Sequence, residues 1–355
     1  MMAPTMDDVA LRAGFSKSTV SMVLNDKPGV TPETTEAVLR AVRELGYNLP
    51  DRRPLRSPQS RQKNHLLNKY RNFVIVHHVG PEPFDNIYGI FLDYLQGVQA
   101  FAKEANINIT AIGGYRSGDL NHLEAHILND QKTPVDGLIL MGKGIRRDSQ
   151  LVRWALKLKK PLVVLSRNWP DIPVSTVSQD HQQQAQIALD YLIQLGHRQI
   201  AFVAKELEEE YEWYAPRLIC YRNKMQELNQ QVDEDLIVMG KDGADAVRKL
   251  LARRPDVTAI LAIHDQRANE VMQGARDMGL EVPKDISVIG LDDSEPAPLG
   301  FPRLTTVGFP HFELGYLGTE LLLMQIERDH LCFGKLSTRS YLVERDSCAK
   351  PNDLS

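Results

Sequence analysis

The sequence predicts a small helical head followed by an α/β body built on parallel sheets. Three observations carry this. Cap residues set off three short amphipathic segments within the first 50 residues, and β-branched runs alternate with amphipathic helices from Phe73 onward. The sign of the charge also reverses near residue 72. Residues 1–72 hold 12 Lys and Arg against 7 Asp and Glu, a net of +5, whereas the remainder holds 30 against 39, a net of −9. Such an asymmetry points to a basic segment that meets a polyanion and an acidic body with a separate task.

Composition excludes several classes of protein. A chain of 355 residues with 43% hydrophobic and 25% charged residues has ample apolar material for two or three globular domains. No apolar stretch approaches the roughly 20 residues that a membrane span needs. Met1 to Asp8 lacks a basic region followed by an apolar run, so no secretory signal is expected. Three cysteines (Cys220, Cys332 and Cys348) are too few and too scattered for a disulfide framework or a cysteine-rich zinc site. A reducing cytoplasm fits these features.

The head reads as follows. Thr5 is a suitable N-cap for a helix over Met6 to Ala13, with Asp7 and Asp8 in its first turn and Val9 and Ala10 inward. Gly14 ends it, and Ser16 caps a second helix, Lys17 to Leu24, with Val20, Val23 and Leu24 at helical spacing. After the turn residues Asn25 to Gly29, Thr31 caps a third helix that opens on Pro32. That helix is lined by Val38, Val42 and Leu45 and closed by Gly46. This is a helix-turn-helix, whose second helix fits the DNA major groove. Lys17, Ser18 and Met22 would then reach base edges, while Thr19 and Ser21 lie nearer phosphates. Thr5, Ser16, Asn25 and Thr31, beside the helix starts and the turn, complete the candidate DNA contacts of the head. A small helical dimerisation bundle is the competing reading.

Residues 5–47, TMDDVALRAGFSKSTVSMVLNDKPGVTPETTEAVLRAVRELGY, resemble the DNA-binding head of the lactose-repressor (LacI/GalR) family. The resemblance implies that the first, second and sixth positions of the recognition helix read bases, which falls on Lys17, Ser18 and Met22. Many members carry Arg at the sixth position, so Met22 implies an operator that differs at that base pair. The head then spans residues 1–50, and a linker of residues 51–72 follows. Members of the family usually have a hinge helix here that wedges a Leu into the minor groove. In this chain Leu55 is the candidate wedge, flanked by Pro54 and, further on, Pro58, each of which interrupts a helix. Arg52, Arg53 and Arg56 are candidate phosphate contacts in what reads as a basic linker.

From Phe73 the expected strands are Phe73–Val76, Asn108–Ile112, Asp136–Met141, Pro161–Leu165, Ser175–Val177, Gln199–Val203, Leu236–Met239, Ala259–Ala262 and Ser287–Leu291. Helices over Phe91–Glu104, Gln182–Leu195, Ala215–Leu228, Gly243–Arg253 and Arg267–Met278 separate them. Repeated βα units imply parallel sheets with helices on both faces, and about 270 residues suffice for two. Ligands in such sheets bind beyond the carboxyl ends of the strands. The residues placed there include Phe84, Asp85 and Tyr88 after the first strand, Trp213 and Arg217, His264 and Asp265, and Asp292. Carboxylates and an Arg for hydroxyls, with aromatic faces for C–H stacking, make a sugar pocket.

The family resemblance continues through LIQLGHRQIAFVA, ILAIHDQRANEVMQGARDMGLEVPKDISVIGLDDSE and LTTVGFPHFELG. It implies effector contacts at Arg217, Asp265 and Asp292. His264 and Phe309 stand where Asn and Gln are common, and Met141 where some sugar-binding members are polar, so the pocket is less polar than in those members. It also implies a two-lobed clamshell like the periplasmic binding proteins over residues 73–350, which serves effector binding and dimerisation. One subdomain would comprise residues 73–177 and 306–337, the other 178–305 and 338–350, with crossings near Val177, Thr305 and Thr338. A homodimer would place two heads on a pseudo-palindromic operator with half-sites one helical turn apart.

Other classes fit less well. Gly113-Gly114 and Gly142-x-Gly144 match no phosphate-loop pattern, His77-His78 and His311 lack zinc spacing, and no Ser lies in G-x-S-x-G. No catalytic residue, cofactor or metal is therefore expected. A solute-binding protein without a regulatory role would share the body but not the head. A nucleoside or purine effector competes with a sugar, because Phe309 and Trp213 could stack on a base.

Overall fold

The computed structural model describes residues 5–24, 31–45, 71–78, 88–115, 134–142, 145–169, 171–206, 212–229, 231–294, 297, 301–328 and 333–352. The chain divides into two compact units, Met1–Lys69 and Tyr70–Ser355.

In the first unit, α1 (Met6–Ala13), α2 (Lys17–Leu24) and α3 (Pro32–Leu45) each start at a hydroxyl cap. Thr5 and Asp8 form a capping box, with the Asp8 carboxylate accepting the Thr5 N–H at 2.7 Å. Ser16 Oγ accepts from the Thr19 amide at 3.1 Å, and Thr31 Oγ1 from the Thr34 amide at 3.3 Å. Gly14 sits at φ +74°, where open space surrounds its Cα, so the backbone angle and not crowding demands glycine. Val9, Ala10, Val20, Val38 and Ala41 form the buried core, one or two residues from each helix. Of the expected linker, residues 51–72, residues 51–70 lie outside the described residues, and Arg71 and Asn72 already belong to the first strand of the body.

In the second unit, twelve strands of the described residues form two six-stranded sheets. The first contains β1 (Arg71–His78), β2 (Ile107–Tyr115), β3 (Gly137–Met141), β4 (Leu162–Leu165), β5 (Ser175–Gln179) and β11 (Lys335–Thr338), in the order β11-β5-β4-β3-β1-β2. All its neighbouring pairs are parallel. The second contains β6 (Ile200–Lys205), β7 (Ile237–Gly240), β8 (Ala259–Ala262), β9 (Ser287–Asp292), β10 (Thr305–Gly308) and β12 (Tyr341–Val343), in the order β12-β10-β9-β8-β6-β7. Only β12 runs antiparallel, with Val343 opposite Thr306 of β10.

The strands are apolar on both faces because both faces are covered. Phe73, Ile75 and Ile139 enter one core of the first sheet, while Val74, Val76 and Leu138 enter the other. The second sheet divides Phe202 and Leu261 from Val203 and Ile260 in the same way. This period-2 alternation between two buried faces explains the continuous hydrophobic runs.

The helices are α4 (Tyr88–Ala105), α5 (Gln150–Lys157), α6 (His181–Leu195), α7 (Tyr214–Asn229), α8 (Gly243–Arg253), α9 (Asp265–Asp277) and α10 (His311–Arg328). The chain crosses between sheets three times: from β5 into α6, from β10 into α10, which packs on β3, β4 and β5, and from β11 into β12. Periodicity does not mark α10, which carries Gly315 and Gly318. The reason is a close helix pair. A Cβ on Gly315 would lie 2.0 Å from the Tyr94 carbonyl oxygen of α4, and one on Gly97 would lie 1.9 Å from that of Phe312. No described helix is long and apolar enough to cross a membrane.

Candidate functional sites

The exposed start of α2 presents Ser16, Lys17 and Ser18, while Thr19, Ser21 and Met22 are half-buried. Lys17 Nζ lies 2.7 Å from Asp7 Oδ2 of α1, with both side chains more than half exposed. Among these exposed groups the pair is worth little and exchanges readily for another partner. The Ser16 hydroxyl also meets Ser18 Oγ at 2.7 Å and Thr19 Oγ1 at 2.9 Å, so the three hydroxyls form one cluster at the helix start. Thr5, Ser16 and Thr31 serve as helix caps. Asn25, Arg52, Arg53, Leu55 and Arg56 lie outside the described residues.

In the second unit a cleft, partly open to solvent, lies where the carboxyl ends of both sheets meet. The first sheet and its helices contribute Tyr94, Gly142, Ser166, Arg167 and Gln179, and the second contributes His181, Trp213, Arg217, His264, Gln266, Asp292 and Ser294. Phe309, on the crossing from β10 to α10, lies between them.

Arg217, 1% exposed, organises the second side. Its Nη1 donates to the Ile263 carbonyl, and its Nη2 donates to Gln184 Oε1 at 2.9 Å and to Asp292 Oδ1 at 2.5 Å. Its Nε meets no acceptor among the described residues. Burial alone would raise the Asp292 carboxyl, but the Arg217 guanidinium beside it holds it below the usual carboxylate range. His181 is pushed down to about 3, first by burial and then by the Arg217 charge, so it is a neutral ring. His264 caps α9 through Nδ1, which accepts the Arg267 amide at 3.1 Å. Asp292 and Asp293 both have positive φ, 104° and 49°, the first outside the left-handed region that Asp tolerates.

The opposite side is a polar chain. Tyr94 Oη meets Ser166 Oγ at 3.0 Å, and Ser166 donates to Gln179 Oε1 at 3.0 Å. The Arg167 guanidinium donates to the carbonyls of Ile145, Ser166 and Gly142 at 2.9, 2.6 and 2.7 Å, tying together the segments that follow β3 and β4. It also lies 6.0 Å from the Trp213 ring centroid across the cleft, within cation–π range. Beside it the Trp169 indole N–H donates to the Glu212 carboxylate.

Five residues proposed from the sequence line this cleft: Trp213, Arg217, His264, Asp292 and Phe309. Two do not, which corrects the sequence reading. Met141 is fully buried among Phe73, Ile75 and Ile139, because the last residue of β3 points into the core. Asp265 is buried and held by internal hydrogen bonds, accepting from Thr306 Oγ1 at 2.5 Å and from the amide of the lining residue Ser294 at 2.6 Å. A Cβ on Gly290 would lie 2.2 Å from Asp265 Oδ1, so only glycine lets β9 pass beneath this carboxyl. Burial, with Asp292 nearby, raises the Asp265 carboxyl well above its usual range. Phe84 and Asp85 lie outside the described residues, and Tyr88 is described only as the first residue of α4. Among the lining residues not proposed from the sequence are Tyr94, Ser166, Arg167, Gln179 and His181. The strand-end rule, applied to β4 and β5 as it was to β8 and β9, points to four of the five.

The model of bacterial regulatory proteins of the lacI family matches residues 5–49, and a periplasmic binding protein-like domain matches residues 189–348. Catabolite control protein A of Priestia megaterium is 31% identical over 330 residues, covering 92% of this chain and 93% of that protein. The solved complex of the transcriptional regulator CelR with cellobiose is 29% identical with a TM-score of 0.66, covering 97% of this chain and 99% of that one. The lac repressor dimer bound to operator and an anti-inducer shares the fold, with a TM-score of 0.62 at 24% identity over 98% of this chain and 100% of that one.

Proposed function

The chain belongs to the lacI family of bacterial regulatory proteins, and from that premise we propose that a small carbohydrate in the cleft controls its affinity for operator DNA. It is a DNA-binding transcriptional regulator; the effector and its site residues are the proposal. The observation that carries it is the Arg217–Asp292 pair, which sets a donor and an acceptor side by side at the end of β9, in a cleft that Trp213 and Phe309 also line. Sugar hydroxyls need both hydrogen-bond roles, and sugar C–H faces need flat apolar surfaces. The solved relative CelR holds cellobiose.

On this reading the head acts as one half of a homodimeric reader in the cytoplasm. Lys17, Ser18 and Met22 face base edges, with Thr19 and Ser21 toward phosphates, and each subunit takes one half-site of a pseudo-palindrome. Effector binding shifts the body between two arrangements with different DNA affinity, and the protein performs no catalysis. The presence of both Phe309 and Trp213 in the cleft lining favours a second reading, a nucleoside whose base stacks on an aromatic ring.

Calorimetry of the full chain with ribose, glucose, cellobiose, adenosine and cytidine, repeated on Arg217→Ala, distinguishes the two. Heat from a sugar that vanishes in the variant supports the carbohydrate reading, and heat from nucleosides alone replaces it with the second.

A further inference from the structure

His311 opens α10, directly after the crossing from the second sheet to the first. It lies behind the cleft and not in its wall. Its Nε2 donates to the Asp292 carbonyl oxygen at 2.9 Å, and its Nδ1 lies 3.3 Å from Asp93 Oδ2 on α4. The ring stands edge-on to Phe309, with centroids 4.2 Å apart, and to Tyr94, 6.1 Å apart. Asp292, Phe309 and Tyr94 all line the cleft. A 9% exposed imidazole thus touches cleft residues of α4, of the end of β9 and of the crossing after β10 without lining the cleft itself.

Asp292 is a residue that needs holding. Its peptide bond to Asp293 joins two residues of positive φ; Asp293 at 49° lies in the left-handed region that Asp tolerates, whereas Asp292 at 104° lies outside it and depends on its surroundings. A hydrogen bond to the Asp292 carbonyl fixes the plane of that peptide. The side chain then leaves the turn in the direction that meets Arg217 Nη2. Both partners of the ring are acceptors, so Asp93 acts one step earlier when both ring nitrogens carry a proton: Nδ1 then donates to its carboxylate on α4 while Nε2 donates to the Asp292 carbonyl.

We propose that His311 is a positioning residue of the effector site. It holds the Asp292–Asp293 turn so that the Asp292 carboxylate stays on Arg217, and through Asp93 it makes that placement depend on where α4 lies. Displacement of α4 from the second sheet would pull the ring from the Asp292 carbonyl and loosen the charge pair that grips the ligand. The inference rests on the cleft being the effector site.

The test compares His311→Phe, which keeps an aromatic ring but has no donor, with His311→Gln, whose amide can still donate to the carbonyl. Crystal structures of the ligand-free variants give the first readout. The expected result is that Asp292 leaves Arg217 in His311→Phe and remains on it in His311→Gln. Calorimetry with ribose, glucose and cellobiose gives the second. For the sugar that binds the unaltered chain, affinity falls about tenfold or more in His311→Phe and by less than about threefold in His311→Gln. Equal losses in both variants, or an unmoved Asp292 in His311→Phe, overturn the proposal. Should His311→Phe fail to fold, Asp93→Ala at a half-exposed position carries the test: its His311 ring turns and the contact to the Asp292 carbonyl lengthens, whereas an unchanged contact refutes the relay. If none of the three sugars binds, the carbohydrate reading fails, and the ligand-free structures still decide the role of His311.

Discussion

Arg217 Nη2 and Asp292 Oδ1 lie 2.5 Å apart, a guanidinium on the first turn of α7 against a carboxylate at the end of β9. Each neutralises the other where burial would make either alone costly. Arg217→Ala leaves the carboxylate with less compensation and should destabilise the body by about 3 kcal/mol, toward the lower end for a broken buried pair. Urea denaturation of the full chain measures this. A loss no larger than that of an exposed Arg→Ala control would mean that the pair does not organise the cleft.

Asp292 and Asp265 have opposite dependence on pH. The Asp292 carboxyl is held below its usual range, so its stabilisation is present above the unfolded carboxyl value and lost as pH falls through the folded value. The Asp265 carboxyl is raised, so its stabilisation is present below the unfolded value and lost as pH rises through the folded one. Asn at 265 can donate to Thr306 Oγ1 and accept from the Ser294 amide without a buried charge. Asp265→Asn should therefore match or exceed the unaltered chain in stability at pH 7 and flatten the fall in stability above about pH 4. Asp265→Ala should lose stability at every pH. Equal losses in the two variants would contradict this assignment.

Ser16→Ala removes the acceptor of the Thr19 amide and should cost the head about 1 kcal/mol. Operator affinity then falls several-fold while calorimetric ligand binding is unchanged. A matching loss in ligand binding would show that the substitution disturbs more than the start of α2.

Arg52, Arg53 and Arg56 supply charge to the linker. If they meet phosphates, replacing all three with Ala lowers the slope of log affinity against log salt by about 0.9 per residue. An unchanged slope removes them from the DNA interface.

Much of the head was legible in the sequence because its signals are local. Thr5, Gly14, Ser16 and Thr31 each act within three or four residues of the chain, and each does in the structure what its position predicts. The strands of the body were legible because burial on both faces leaves continuous apolar runs. The helix α10 was not, since Gly315 is dictated by the Tyr94 carbonyl more than 200 residues earlier in the chain. The cleft divides in the same way. Arg217 and Asp292 follow recognisable turns, whereas Met141 and Asp265 show that a strand-end position does not fix which way a side chain points. His311 carries no sequence signal at all, because its partners Asp93 and Asp292 come together only through the crossing of the chain.

The most direct measurement of the central claim is selection of bound sites from random DNA, followed by operator affinity with and without ribose, glucose and cellobiose. The expected result is a pseudo-palindrome with half-sites one helical turn apart, and one sugar that changes affinity by about 5- to 150-fold in the unaltered chain but not in Arg217→Ala. An enriched operator whose affinity no sugar alters, or alters equally in Arg217→Ala, would contradict it.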